Sequence, residues 1–525
     1  MPLRMKTHQL LCIFLFLGNK CVECESSEKK NVLFLVADDL RPNLGCYDNT
    51  DLFNSQPMQT PNMDKLAEKS IVFDRAYCQV ALCGPSRASF LTSRRPDTTH
   101  VHGNKPWFRE VGGNFTTIPG YFRQHGYRTV GAGKIFHNTG NNTKKDDVKY
   151  SWSEPMFHAK DHDVHNMSYT LVTQDMMEKN PLRDTVQTSH AIEKLRELAP
   201  DALLGVEPFF LALGLHKPHQ PWDFPAEFYQ LYNKDDMELP YNMHCPTGMP
   251  DTAWVDFGNP RTAYYDMSNE AMGIPELGQI NVTYPKWKIR QMRRSYYASV
   301  SYMDHQVGRL LDELEVLGLS ENTIVVFFGD HGYQLGEHAE WMKWNNFDIT
   351  ARVPLLLHVP GHTATNIHTK KLVELVDILP TLAEAANLPE VETCPELSKE
   401  TEICTEGRSL IPLIENPETE HWRSAVFYQR GYNWWNQGNV SSHHMGYSIR
   451  TEEWRYTEYV FMTDNGDNTV SHTPDWEHQS DWAELYHHDK DPLETINLYD
   501  HPDYQQVRSE MQDRLRAGWR QEVDR

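Results

Sequence analysis

The sequence predicts an α/β protein with a mixed, largely parallel central sheet flanked by helices and a smaller C-terminal α+β lobe. Four apolar runs without polar alternation, Asn31–Ala37, Tyr127–Gly133, Pro208–Leu215 and Thr323–Gly329, read as strands covered on both faces. Helical patterns separate them. From about His421 the texture changes to short strands and one terminal helix. At 525 residues the chain exceeds what one hydrophobic core usually organises, and the expected division is 1–24, 25–417 and 418–525.

Taken in order, residues 1–24 carry Arg4 and Lys6 ahead of the apolar run Leu10–Leu17, the form of a cleavable secretory signal, too short to span a bilayer. Asn31–Ala37 ends in Asp38-Asp39, Tyr127–Gly133 in Lys134 to His137, Pro208–Leu215 in His216-Lys217-Pro218-His219, and Thr323–Gly329 in Asp330-His331. Ligands of open α/β sheets bind at the carboxyl edge, so four strands delivering ionisable residues there point to one shared site. Asn62–Lys69 and Ile118–His125 read as short amphipathic helices. Lys286–Leu317 reads as a long one, with Ile289, Met292, Tyr296, Val300, Met303, Val307, Leu310, Leu314 and Leu317 on one face, a core stripe without chemistry of its own. Residues 138–180 and 233–285 read as long loops over the site. Pro354–Pro360 reads as another buried strand, Leu372–Ala386 as a helix and Pro389–Pro417 as a boundary loop. Beyond it come strands Ala425–Gln429, Gly446–Arg450 and Trp454–Phe461 and a helix near Tyr504–Arg520.

A net charge of −23 argues against nucleic-acid partners, which need a basic footprint; no segment after the leader is long enough for membrane insertion. Five sequons, at Asn114, Asn141, Asn166, Asn281 and Asn439, agree with a secretory route. Of nine cysteines, Cys12, Cys21 and Cys24 lie in or beside the leader, and Cys394 and Cys404 bracket a short polar loop suited to a disulfide. The one Cys-x-x-Cys, Cys21 to Cys24, falls in the leader, so no structural zinc site is suggested after it.

Cys83-Gly84-Pro85-Ser86-Arg87 is the stretch with the most chemistry. Pro85 suits a first helical turn, which puts Cys83 at a helix N-terminus whose amides and dipole favour an anion. Arg87, one turn on, adds a fork of donors suited to tetrahedral oxyanions. Asp38, Asp39 and Asp330 supply hard oxygen ligands for Ca²⁺ or Mg²⁺, with His331 a softer neighbour.

Cys-x-Pro-Ser-Arg followed by Leu91-Thr92 resembles the type I sulfatase signature, with Ser93 where the family has Gly. Stretches 36–47, 94–99, 133–137, 216–219, 330–338, 446–451 and 484–486 extend the resemblance in order along the chain, while the loops 138–180 and 233–285 match poorly. The resemblance implies an alkaline-phosphatase-like fold and conversion of Cys83 to formylglycine by a formylglycine-generating enzyme during biosynthesis. It implies one Ca²⁺ per chain held by Asp38, Asp39, Asp330, His331 and the modified Cys83. Arg87 and Lys134 then hold the sulfate, His219 and Lys343 serve the leaving sugar oxygen, and His137 takes the proton that releases sulfate. The expected substrate is the 2-O-sulfate of terminal iduronate in dermatan and heparan sulfate, and the expected location the lysosome. The alternatives are another glycosaminoglycan or aryl sulfatase, a metal phosphodiesterase, and a secreted binding protein whose Cys83 is never converted.

Overall fold

The computed structural model describes residues 29–47, 58–137, 146–160, 166–256, 259–432, 443–464 and 470–523; the leader and the sequons at Asn141 and Asn439 lie outside them. The central sheet has eight strands, in the order Arg352–Val353, Ile71–Tyr77, Leu355–His358, Thr323–Gly329, Asn31–Ala37, Phe209–Leu215 and Arg128–Gly133, with Ile367–Glu374 pairing Ile71–Tyr77. Asn31–Ala37 runs parallel between Thr323–Gly329 and Phe209–Leu215, and Arg128–Gly133 extends the parallel block. Leu355–His358 is antiparallel to both of its neighbours, which makes the sheet mixed.

All seven residues of Asn31–Ala37 are buried, because two separate cores sandwich the sheet. Leu33, Leu35 and Ala37 face the long helix Lys286–Val316, with Met292, Tyr296, Val300 and Met303 in the same cluster. Val32, Phe34 and Val36 face Phe90, Leu91 and Phe122 on the other side. The unbroken apolar run is therefore a consequence of a covered parallel strand.

Some elements differ from the sequence reading. Leu372–Glu374 completes the strand Ile367–Glu374, its register with Arg75–Tyr77 resumed after a bulge, and the helix begins only at Ile378. Ile71–Tyr77, interrupted by Asp74 and Arg75, is a sheet strand, and Arg183–Leu203 is a helix although Pro200 lies inside it. Within the predicted long loops, Tyr169–Val172 pairs in parallel with Trp222–Pro225, and Gln174–Lys179 is helical.

The C-terminal lobe is a four-stranded antiparallel sheet, Ala425–Tyr432, His443–Thr451, Trp454–Asp464 and Val470–His487. The helix Gln505–Ala517 packs on it through Met511 and Leu515, in a small core of their own. Cys394 and Cys404 form a disulfide, while Cys46, Cys78, Cys83 and Cys245 are free.

Glu337 holds the turn that leads from the sheet edge to Lys343. Its carboxylate meets Arg41 and Arg293, each at 3.0 Å, with all three side chains buried. Burial opposes its charge, yet the two guanidinium groups hold its pKa at about 2. Stability from this pairing is complete above the ordinary glutamate value and is lost only as pH falls towards 2. Glu337→Gln strands two buried cations and is expected to cost about 3–5 kcal/mol, read as a lower midpoint in denaturant; a cost below about 1 kcal/mol would contradict the pairing's role.

Candidate active site

The parallel strands deliver the site through their carboxyl ends. Asp38 and Asp39 follow Asn31–Ala37, and Asp39 adopts a left-handed backbone, φ 64°, which Asp tolerates better than most residues. Its amide donates to Asp330 Oδ1 at 3.1 Å, and the His331 amide to the same oxygen at 3.0 Å. Gly133 and Gly214 let two neighbouring strands close tightly: a Cβ on Gly214 would lie 2.0 Å from the Lys134 carbonyl oxygen. That approach brings Lys134 in beside Asp38.

Cys83 opens the helix Cys83–Thr92, every residue of which is buried. The Gly84 amide is capped by Asn104 Oδ1 at 2.8 Å, and the Ser86 hydroxyl donates to the Asp330 carbonyl at 2.5 Å. At the far end Ser93 is left-handed, φ 54°, the conformation for which Gly is the usual residue. Its hydroxyl compensates by bonding to the Val376 carbonyl at 2.5 Å and Thr405 Oγ1 at 2.7 Å. The nucleophile helix is thus pinned at both ends.

Around Cys83 Sγ lie Asp38 Oδ1 at 3.2 Å, His331 Nε2 at 3.3 Å and Lys343 Nζ at 3.3 Å. Lys134 is ion-paired with Asp38, and Lys343 with Asp39. Arg87 donates through Nε to Asp330 Oδ2 at 2.9 Å and through Nη1 to the carbonyls of Lys134 and Ile135. Its Nη2 is buried with no hydrogen-bond partner among the described residues.

Charge is crowded here, and the cations decide its sign. Burial disfavours the Asp38 carboxylate, but Lys134, Lys343 and Arg87 hold its pKa well below the ordinary range. Burial lifts Asp39 to about 7 despite Lys343. Burial and Asp38 oppose a thiolate at Cys83, while Lys134 and Lys343 outweigh them and lower its pKa.

The donor set fits a hard divalent cation. Asp38, Asp39, Cys83 and His331 offer ligand atoms all within 4.8 Å of one another, and all four residues are buried. Asp39 Oδ2 is buried without a hydrogen-bond partner among the described residues, an arrangement that burial penalises unless something occupies it. His331 Nδ1 faces the Gly332 carbonyl at 2.9 Å, which leaves Nε2 towards the carboxylates, as ligating histidines are usually held. Burial opposes its protonation and Asp330 favours it, with a resulting pKa of about 9; a cation at Nε2 must displace that proton. Asp330 is not among the four; Arg87 and two amides use its oxygens, which a cation at this edge would share.

His137 and His219 flank the cluster. Both ring nitrogens of His137 are buried without a partner among the described residues, and burial and the Lys134 charge keep it neutral. His219 Nδ1 lies 2.5 Å from the Gln220 carbonyl, and burial and Lys343 depress its pKa strongly. The imidazole of His219 is therefore neutral with Nε2 as an acceptor, whereas Lys343 is held charged by Asp39 against the effect of burial. His216 only shapes its turn: its amide and that of Lys217 donate to Asp184 at 3.0 and 2.9 Å. Asp184 and Asn104 carry no sequence signal, because each supports the site through a loop crossing that spacing cannot reveal.

The family model described as Sulfatase matches residues 30–388, and that described as N-sulphoglucosamine sulphohydrolase, C-terminal, matches residues 336–521. Iduronate 2-sulfatase of Mus musculus is 36% identical, over 93% of this chain and 95% of its own length. Iduronate 2-sulfatase of Homo sapiens is also 36% identical, over 92% and 93%. A solved structure holding its substrate D-glucosamine-2-N,6-O-disulfate superposes with a TM-score of 0.66 at 22% identity, covering 94% of this chain and 98% of its own. That likeness concerns the fold, which is alkaline-phosphatase-like. With a family model running from the first strand past the last residue of the cluster, and relatives aligned along nearly the whole length, this chain belongs to the sulfatase family of sulfuric ester hydrolases.

Proposed function

We propose that this chain removes the 2-O-sulfate of terminal iduronate 2-sulfate in dermatan and heparan sulfate, in the lysosome, with residue 83 converted to formylglycine and one Ca²⁺ at the Asp38–Asp39–Asp330–His331 edge. The observation that carries the substrate is the 36% identity to two iduronate 2-sulfatases over more than nine-tenths of this chain and of theirs. Support for the reaction comes from the geometry: a nucleophile position at a helix N-terminus, ringed by two carboxylates, two ammonium groups and an arginine.

In its hydrated aldehyde form residue 83 supplies one hydroxyl to attack sulfur and a second whose deprotonation expels sulfate. A bound Ca²⁺ supplies Lewis acidity towards the sulfate oxygens. Lys134 and Arg87, whose Nη2 has no hydrogen-bond partner among the described residues, bind the sulfate oxygens and stabilise charge that develops on them. The charged Lys343 protonates the leaving sugar oxygen, and neutral His219 accepts through Nε2 from the sugar hydroxyl that results. His137, kept neutral by burial and Lys134, takes the proton of the second hydroxyl.

A neutral base with a depressed pKa stays competent in acid. As pH falls, kcat/KM on a terminal iduronate 2-sulfate disaccharide should stay level through about 6.5, the ordinary histidine value, and drop only further down. An acid limb centred near 6.5 would remove His137 from that role. The same assay run against disaccharides sulfated elsewhere tests the substrate: higher kcat/KM on any of them than on iduronate 2-sulfate would overturn it.

A further inference from the structure

Beside the sulfate-handling cluster lies a second group of polar side chains that the reaction does not use. Asp223 sits in the strand Trp222–Pro225, where Trp222 and Phe224 enter the core. Alternation turns Asp223 away from that core. The residue is only 4% exposed, yet its Oδ1 is buried without a hydrogen-bond partner among the described residues. Trp222, next to it, donates its amide to the Ser168 carbonyl at 2.9 Å, and Ser168 in turn binds Asp266, two residues on from Tyr264. Asp223 opposes the burial that lowers the Lys217 pKa and adds to the burial that raises that of Tyr264. Asp38 also acts on Lys217, and Asp39 and Lys343 act on Tyr264. The group adjoins the reacting end of the site, since Lys217 Nζ donates to the carbonyl of His219 at 3.4 Å.

Its members are held rigidly. Lys217 Nζ donates to the carbonyls of His219 and Pro221, at 3.4 and 2.5 Å. Tyr264 precedes a segment fastened by Asp266, which accepts from the Ser168 amide, the Ser168 hydroxyl and Lys288 Nζ, each at 2.7 Å. Tyr284 OH donates to the Met267 carbonyl at 2.9 Å. Tyr264 belongs to the 233–285 loop, one of the two whose sequence matches the family pattern poorly.

A buried carboxylate oxygen without a donor is costly, and structures keep such groups where a ligand satisfies them. Ionised carboxylates only accept, so the matching chemistry is an O–H donor. A fixed tyrosine beside it offers an apolar face and a hydroxyl, the usual surroundings of a sugar ring. We propose that Asp223 and Tyr264 form the sugar-recognition wall of the site, Asp223 accepting hydrogen bonds from free hydroxyls of the sulfated ring and Tyr264 contacting that ring. The inference rests on the sulfated-sugar reading of the function.

The test compares two substrates on the matured full chain: a terminal iduronate 2-sulfate disaccharide, and 4-nitrocatechol sulfate, which has no sugar ring. Asp223→Asn keeps the volume and removes the charge. The ratio of kcat/KM for the disaccharide to that for the aryl sulfate should fall about tenfold or more, the size of one charge-assisted hydrogen bond. The melting temperature should change little, because Asp223 Oδ1 has no donor to lose while Lys217 gives up one favourable charge. Tyr264→Phe, which removes only the hydroxyl, should lower the same ratio and decides the matter if Asp223→Asn does not fold. An unchanged ratio overturns the proposal, since a merely structural role would affect both substrates alike. Wild-type protein that cleaves the aryl sulfate but no sulfated disaccharide overturns the substrate reading, and this inference with it.

Discussion

Cys83→Ser is expected to abolish turnover, by a factor on the order of 10⁴ or more as for removal of other covalent nucleophiles. Cys83 sits at the centre of the site, within 3.3 Å of Asp38, His331 and Lys343, so a serine hydroxyl there is well placed to attack sulfur. It has no second hydroxyl, however, and nothing then drives sulfate out. Cys83→Ser should accordingly accumulate a sulfated enzyme detectable by intact mass, whereas Cys83→Ala should be inert and unmodified. Normal turnover by either folded variant would contradict covalent catalysis at this position.

Removal of the divalent cation should have the second-largest effect. Without it the buried Asp38 and Asp39 carboxylates, whose ligand atoms converge within 4.8 Å with those of Cys83 and His331, rely on Lys134, Lys343, Arg87 and His331 for compensation. Dialysis against a chelator should stop catalysis and lower the melting temperature, a ligand at 100 times its dissociation constant being worth about 2.7 kcal/mol. Ca²⁺ should restore both, and elemental analysis should find about one Ca²⁺ per chain, as expected of a single site rich in hard oxygen donors. Asp39→Asn should show the stability loss without chelator. Two zinc ions per chain would instead favour the phosphodiesterase chemistry.

The parallel core is legible because strands buried on both faces write their burial into the sequence. Val32 to Ala37 and Ile324 to Phe328 alternate between two cores, so every position is apolar, and the ionisable residues that end these runs necessarily gather at one edge. Strand Ile71–Tyr77 is hidden in the sequence because Asp74, paired with His368, breaks its apolar run. Leu372 and Val373 are ambiguous, since a short apolar stretch beside a helix has no period of its own. Within the site, Cys83, Asp38, Asp39 and His331 are readable from local motifs. Asn104, Asp184, Asp223 and Tyr264 are not: each acts by reaching across from another segment. Protonation is the least legible property. His219 looks like an acid from its place near the leaving group, but burial beside Lys343 makes it neutral.

The conversion of residue 83 is testable without any substrate. Trypsin should release Ala76–Arg87, a peptide containing both Cys78 and Cys83. Cys78 is fully buried and pushed far from reactivity by burial, and after denaturation it alkylates like any free thiol. If residue 83 is formylglycine in protein made through the secretory route, this peptide takes up one alkyl group, lacks one sulfur, and reacts with a hydrazide through its aldehyde. Uptake of two alkyl groups and no hydrazide reaction, in protein that still hydrolyses a sulfate ester, would contradict the aldehyde mechanism outright.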